Sequence, residues 1–345
     1  MEDVIFFITN LFVMIGFVII ILYTRKIHSL EEDGKQQVLQ VLRKYPELYF
    51  AFKHSRSKHS LVNIPGMLKT QSIKMESKEI EDCYHMTPQG VGVNKNHIFI
   101  SAYCHSRKHQ SVIYMLDKIS GKYIKTIILK NRTHAGGLVY DQINNCLWVS
   151  AASKEHGHGR VAAIPMNNLY DYPLNRRYVR SIEYSMILDF PGIAQASFIT
   201  IENEHLYAGS FNLTKNGAVT NASLDERGER NIDSNEIHTV TLPPKIQGIA
   251  FYKDYCLLSE SYGPVSSKIM VFSNDQFYNG VLNEKQAIKI IKAPPYLEQL
   301  TVYGNHLYAV FESSAASYRD KTTRFIPYVI TFYLPTMFRQ IKISE

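Results

Sequence analysis

The chain has 345 residues, 45% hydrophobic and 20% charged, proportions that exclude a disordered or collagen-like polymer and supply a large core. Its formal charge of +7 is spread along the sequence rather than gathered in a stripe, so a nucleic-acid partner is not expected. The four cysteines, Cys83, Cys104, Cys146 and Cys256, show neither the density of a disulfide framework nor metal-type CxxC spacing; they read as buried free thiols.

Val4 to Tyr23 contains no charged residue, and about 20 apolar residues suffice to span a bilayer as a helix. Glu2 and Asp3 precede the run and Arg25 and Lys26 follow it, the reverse of a cleaved signal peptide. The segment therefore reads as an uncleaved single-pass anchor, residues 1–26, in a cell membrane. Arg25, Lys26, Lys35, Arg43 and Lys44 all lie after it, which by the positive-inside rule places the bulk of the chain in the cytoplasm. Next, Ser29 to Glu32 resembles a capping box, Val38, Leu39, Val41 and Leu42 form an apolar stripe, and Pro46 ends the helix. A short helical stalk and a basic linker, residues 27–60, are expected. The linker's Lys53, Arg56 and Lys58 suit either solvent or anionic lipid headgroups.

From residue 61 to 345 the reading is all-β, with no helical periodicity of useful length. Gln71 to Met75 reads as a strand, and the surrounding region leaves room for part of an extra blade. Gln89 to Leu129 holds four Ile-, Val-, Tyr- and Phe-rich runs separated by turn residues, the marks of an antiparallel meander. The pattern restarts at His134, Gln195, Gln247 and Gln299. Four strands repeated at about 50 residues is the signature of a β-propeller. The expectation is a five-bladed propeller of four-stranded blades, preceded by a single transmembrane helix and a short stalk.

Propeller geometry places the inner-strand starts on one rim. Gln89, His134, Gln195, Gln247 and Gln299 would ring the channel mouth there. Side-chain amides both donate and accept, so the ring suits a small polyhydroxylated molecule, a peptide or a cell-envelope glycan; equally, it would satisfy the backbone of neighbouring blades. Tyr103 and Ser210, at second-strand ends, complete the candidate ligand-binding set. Glu260 and Glu312 end two second strands on the same face and are the candidate acid/base residues, equivalent to each other only if a bulge intervenes. His105, His109, His156 and His158 lie in loops of that face with unspecific spacing, so no metal is assigned. No cofactor is indicated.

QGVGV, ISAY, SVIYMLDKISGKYIKTIIL and HAGGLVYD resemble the repeats of uncharacterised bacterial propeller proteins, secreted or membrane-attached, grouped with the lactonase-like and quinoprotein-like propellers. That resemblance implies a propeller in an extracellular or envelope setting, and no particular activity. Gln247-Gly-Ile with Ser259-Glu260-Ser-Tyr-Gly263 is similar to the five-bladed glutaminyl cyclases, which implies an active site framed by Gln247 and Glu260. Three functions follow: a membrane-anchored binding module, which leads; a cyclising or hydrolytic enzyme with Glu260 as acid/base; and a structural scaffold.

Overall fold

The computed structural model describes residues 14, 17, 19, 33–55, 57, 59–152, 157–173, 180–224, 230–231 and 238–339. Contacts divide the chain into two units, Met1–Lys44 and Tyr45–Glu345. In the first, residues 33–42 are helical and bury Val38, Val41 and Leu42, as the apolar stripe requires. Met14, Phe17 and Ile19 are helical and exposed. The remainder of Val4 to Tyr23, the capping box at Ser29, the basic residues Arg56 and Lys58, and His156 lie outside the described residues. Among those described, no helix is long and apolar enough to cross a membrane.

In the second unit Pro46 does more than stop a helix. It opens another, Pro46–Lys53, because a proline in the first turn forfeits no intrahelical hydrogen bond. The other described residues form five antiparallel blades and a two-stranded hairpin, joined by loops and short helices. The first blade comprises Met86–Val93, His97–Cys104, Val112–Asp117 and Tyr123–Ile128. The second comprises Leu138–Asp141, Cys146–Ser150, Gly159–Pro165 and Met186–Phe190. The third has Phe198–Glu202, His205–Ser210 and Gly217–Leu224, with its outer edge divided between Arg230–Asn231 and Thr239–Leu242. The fourth is Ile246–Tyr252, Tyr255–Glu260, Ser267–Ser273 and Lys289–Ala293. The fifth takes Leu297–Tyr303, His306–Phe311 and Tyr328–Tyr333 from the end of the chain, and its outermost strand from Leu61–Asn63. Inner strands touch in cyclic order, the fifth against the first. The protein is a five-bladed β-propeller closed by a strand from near its beginning.

No sixth blade hides before residue 86 among the described residues. Leu61–Asn63 completes the fifth blade, and Thr70–Ile73 pairs with Ile80–Cys83 in a two-stranded hairpin. That hairpin joins the loop after the second strand of the first blade, where Lys74 bridges His109 and the Gln110 amide donates to the Ile73 carbonyl.

The core lies in layers between blades. Phe99, Ile113 and Met115 face the second blade's Leu138, Leu147 and Val149, while Ile98, Ile100 and Tyr114 face the fifth blade's Val310 and Val329. The period of two sends alternate side chains to opposite faces, and each face meets another blade. This is why the runs read as almost continuously apolar. Each fully buried large side chain, such as Phe99 or Trp148, contributes about 1.5–3 kcal/mol.

Candidate functional site

Register is what aims the polar residues. The pairing of inner with second strand slips between Pro88 and Val91, between Ile246 and Gly248, and between Leu297 and Leu300. Each slip is a β-bulge at a glutamine: Gln89, Gln247 and Gln299. A bulge inserts one residue and re-aims its neighbours. Close approach of the inner strands depends on small residues beside the bulges; a Cβ on Gly248 would lie 2.9 Å from the Gln299 Cα and from the Leu300 nitrogen. Serines of the second strands lock the arrangement. Ser101 Oγ accepts from the Gly90 amide at 2.9 Å and donates to the Ala135 carbonyl at 2.6 Å. Ser259 Oγ donates to the Glu298 carbonyl at 2.8 Å.

The five rim residues do not act as one ring. Gln299 is fully buried and is spent on backbone. Its Oε1 accepts from the Leu138 and Val91 amides at 2.8 and 3.3 Å, and its Nε2 donates to the Leu138 and Ile199 carbonyls at 2.8 and 3.1 Å. One amide thus ties the fifth blade to the first three. Gln195 is exposed and its Nε2 donates to Ser197 Oγ at 3.2 Å. Gln247 is half-buried at its bulge. Ser210 Oγ bonds the Ala218 carbonyl at 3.4 Å within its own blade.

Glu260 and Glu312 are not equivalent. Ile246 pairs with Glu260, whereas Leu297 pairs with Phe311, so Glu312 corresponds to Ser261. The Ser261 amide donates to the Lys245 carbonyl and the Glu312 amide to the Tyr296 carbonyl, each at 3.0 Å. Glu260 is the last residue of its strand, whereas Glu312 lies beyond Phe311 in the 3-10 turn Glu312–Ser314, so the two carboxylates have different neighbours. Glu260 meets its cross-strand partner Lys268 at 3.0 Å, and Lys268 also reaches Glu284 at 2.7 Å.

Glu312 instead joins a cluster between the fifth and first blades. Gln89 Nε2 donates to its Oε2 at 3.0 Å, Glu298 and Glu312 share a hydrogen bond, and Tyr318 bonds Glu312 as well. Glu298, buried to 3% exposure, was not foreseen from the sequence. The signal available was a charged residue in the apolar run Leu297 to Leu300. Tyr103 hydrogen-bonds Tyr318 and meets His105 Nδ1 at 3.1 Å. The Tyr103 ring lies 4.2 Å from that of His134, and the Tyr318 ring 5.2 Å from Tyr296 and 5.6 Å from His105. Tyr296 holds φ at +63°, uncommon for a bulky residue. Lys245, at the matching place in the fourth blade, holds +64°, so this conformation belongs to the blade repeat.

The electrostatics follow from burial. Glu298 is pushed well above the usual carboxyl range, first by burial and then by the neighbouring Glu312. Burial pushes Glu312 up to about 7, with hydrogen bonds from Gln89, Glu298 and Tyr318 acting the other way. Glu298 therefore keeps its proton at neutral pH, beside a Glu312 that is close to its own titration. His134 is lowered to about 4 by burial, then by Arg107 and His105, and is a neutral imidazole. Burial raises Tyr103 and Tyr318, which stay protonated. The cluster offers hydrogen-bond donors, one titrating carboxylate and aromatic faces within a few ångströms.

No protein-family profile matches the chain, and no curated protein matches it. The glutaminyl cyclase and bacterial propeller resemblances thus have no support from sequence families. Among solved structures, the hydrazine synthase of Kuenenia stuttgartiensis aligns at 11% identity and TM-score 0.37, over 65% of this chain and 55% of that one. A chain of the nidogen/laminin complex aligns at 14% identity and TM-score 0.37, over 71% and 84%. The periplasmic gluconolactonase of Pseudomonas aeruginosa aligns at 13% identity and TM-score 0.38, over 65% and 64%. The alignment thus reaches under two thirds of the hydrazine synthase and gluconolactonase chains.

Proposed function

We propose that this propeller is a binding module whose ligand site is the cluster of Gln89, Tyr103, His134, Glu298, Glu312 and Tyr318, and that Val4 to Tyr23 tethers it to a membrane. The observation that supports this most is the carboxyl pair. Two buried carboxyls side by side are costly unless something offsets them, and donors from two blades converge on them. The ligand class is a small polyhydroxylated molecule, a glycan fragment or a peptide terminus. Its hydroxyl or amine groups would bond Glu312 and Gln89 while its apolar face packs on the tyrosines. Gln195, Gln247, Ser210 and Glu260 lie outside this narrower site, and Gln299 supports it through the backbone.

A second reading is hydrolysis, favoured by the Glu312 pKa near neutrality. A carboxyl and a carboxylate in contact can exchange acid and base roles at neutral pH. Ligand-observed NMR with the detergent-solubilised full chain against glycan fragments and short peptides tests both readings. Glu312→Ala and Gln89→Ala should weaken binding by roughly 1–3 kcal/mol each, and Gln247→Ala should leave it unchanged. Binding without turnover selects the module; turnover with a bell-shaped pH profile selects the enzyme. Retention of binding by both variants would move the site elsewhere.

For the tether, extraction of the chain by detergent but not by high salt is the expected result. The native cysteines are buried, so a cysteine introduced at exposed Ile119 and probed with an impermeant thiol reagent reports which side the propeller occupies.

A further inference from the structure

A second cluster lies where the two-stranded hairpin meets the first blade. Cys83 ends the hairpin strand Ile80–Cys83, and Cys104 ends the second strand of the blade. His109 follows in the loop that bridges back to Lys74. All three side chains are buried, with residue exposures of 0%, 2% and 7%. The two Sγ atoms are 3.4 Å apart, Cys104 Sγ is 3.6 Å from His109 Nδ1, and the three donor atoms lie within 4.8 Å of one another. The far nitrogen of His109, Nε2, is buried without a hydrogen bond and faces Glu81 Oε2 at 4.0 Å. Ser106 Oγ stands 3.1 Å from Cys104 Sγ.

We infer that Cys83, Cys104 and His109 form a binding site for a thiophilic divalent metal ion of the zinc class. Tetrahedral zinc, with Zn–S about 2.3 Å and Zn–N about 2.0–2.1 Å, puts sulfur from sulfur at about 3.8 Å and sulfur from nitrogen at about 3.5 Å. The Cys83–Cys104 and Cys104–His109 edges lie within a few tenths of an ångström of those values, and the Cys83–His109 edge is within 4.8 Å. Loading removes the thiol protons of Cys83 and Cys104 to solvent, and both sulfurs bind as thiolates. His109 binds through Nδ1, which leaves its proton on Nε2 facing Glu81. At 4.0 Å no hydrogen bond is made; a small approach of Glu81 on loading would complete the carboxylate–histidine–metal relay that fixes a ligating imidazole. An oxygen, from Ser106 or water, completes the fourth position. A disulfide between the cysteines is the competing chemistry, but it would give His109 no role and leave both of its nitrogens without partners. The metal would pin the hairpin to the blade.

The test uses the full chain in detergent, reduced and expressed with zinc. Elemental analysis should give about one zinc per chain, as one four-coordinate site requires. Cobalt substitution should produce thiolate-to-cobalt charge-transfer bands and the visible bands of tetrahedral geometry. Cys83→Ser, Cys104→Ser and His109→Ala should each lose the metal and the bands, while Cys146→Ser and Cys256→Ser keep both. Glu81→Gln should weaken zinc by roughly 10- to 100-fold. Should the serine variants fail to fold, chelated wild-type protein serves instead: adding zinc should raise its melting temperature in a concentration-dependent way. Metal-free protein that shows no zinc-dependent shift overturns the inference. So does a Cys83–Cys104 disulfide, two hydrogens lighter, in protein purified without oxidant.

Discussion

Glu298 and Glu312 reverse the usual carboxylate contribution to stability. Their folded pKa values lie above the ordinary 4.5, so the folded state holds more protons than the unfolded state as pH rises from there. Their stabilisation is fully present below the ordinary value and is lost as pH climbs towards and through about 7, where Glu312 titrates. The size is up to roughly 3 kcal/mol for Glu312. Glu298→Gln keeps a donor towards Glu312 and removes one ionisation. Urea titrations between about pH 5 and pH 8 should show the variant losing less stability than the wild type across that range; parallel curves would mean that the pair is not the source. Gln89, Tyr103, His134 and Glu312 were legible as candidates because rim position follows from the repeat. Glu298 was not. In the run Leu297 to Leu300, alternation assigns adjacent residues to opposite faces, and no residue type announces the bulge that re-aims them. Glu260 and Glu312 do not match because both blades carry the same one-residue bulge, which leaves Glu312 one place further along its blade, beyond the end of the strand.

Between residue and blade, short elements need their ends satisfied. The helix Met166–Tyr170 closes on the buried ammonium of Lys125 in the outer strand of the first blade. Lys125 Nζ donates to the carbonyls of Leu169, Tyr170 and Tyr172 at 3.1, 2.7 and 2.9 Å, groups that the end of a helix leaves without partners. Lys125→Met preserves the aliphatic stem and removes all three bonds. A loss on the order of 2–4 kcal/mol is expected, read as a lower urea midpoint with unchanged slope; an unchanged midpoint would show that water can serve those carbonyls. The strands of the first blade were legible because Ile-, Val- and Tyr-rich runs alternate with Asn, Ser and Gly. Leu61–Asn63 was not, because three residues carry no measurable period and their partner, Tyr328–Tyr333, lies at the other end of the chain.

At the scale of the whole molecule, five repeats of the same strand order sufficed to predict the ring, whereas its fastening was invisible. Val62 is buried and pairs with Val329 in the closing strand. Val62→Asp places an unpaired carboxylate between the first and fifth blades, a change expected to cost about 3–5 kcal/mol. Limited proteolysis should then cut first within the fifth blade; a wild-type pattern would show that closure does not depend on this strand. The same fastening orders events during synthesis. Residues 61–63 leave the ribosome early and have no sheet to join until Tyr328–Tyr333 has emerged, so four blades are made while the fifth is incomplete. Through that interval the growing chain carries an open strand edge, the feature most prone to pair with another chain. A messenger truncated before codon 328 would yield a product fixed in that state, and aggregation of truncated chains, rather than partial activity, is its expected fate.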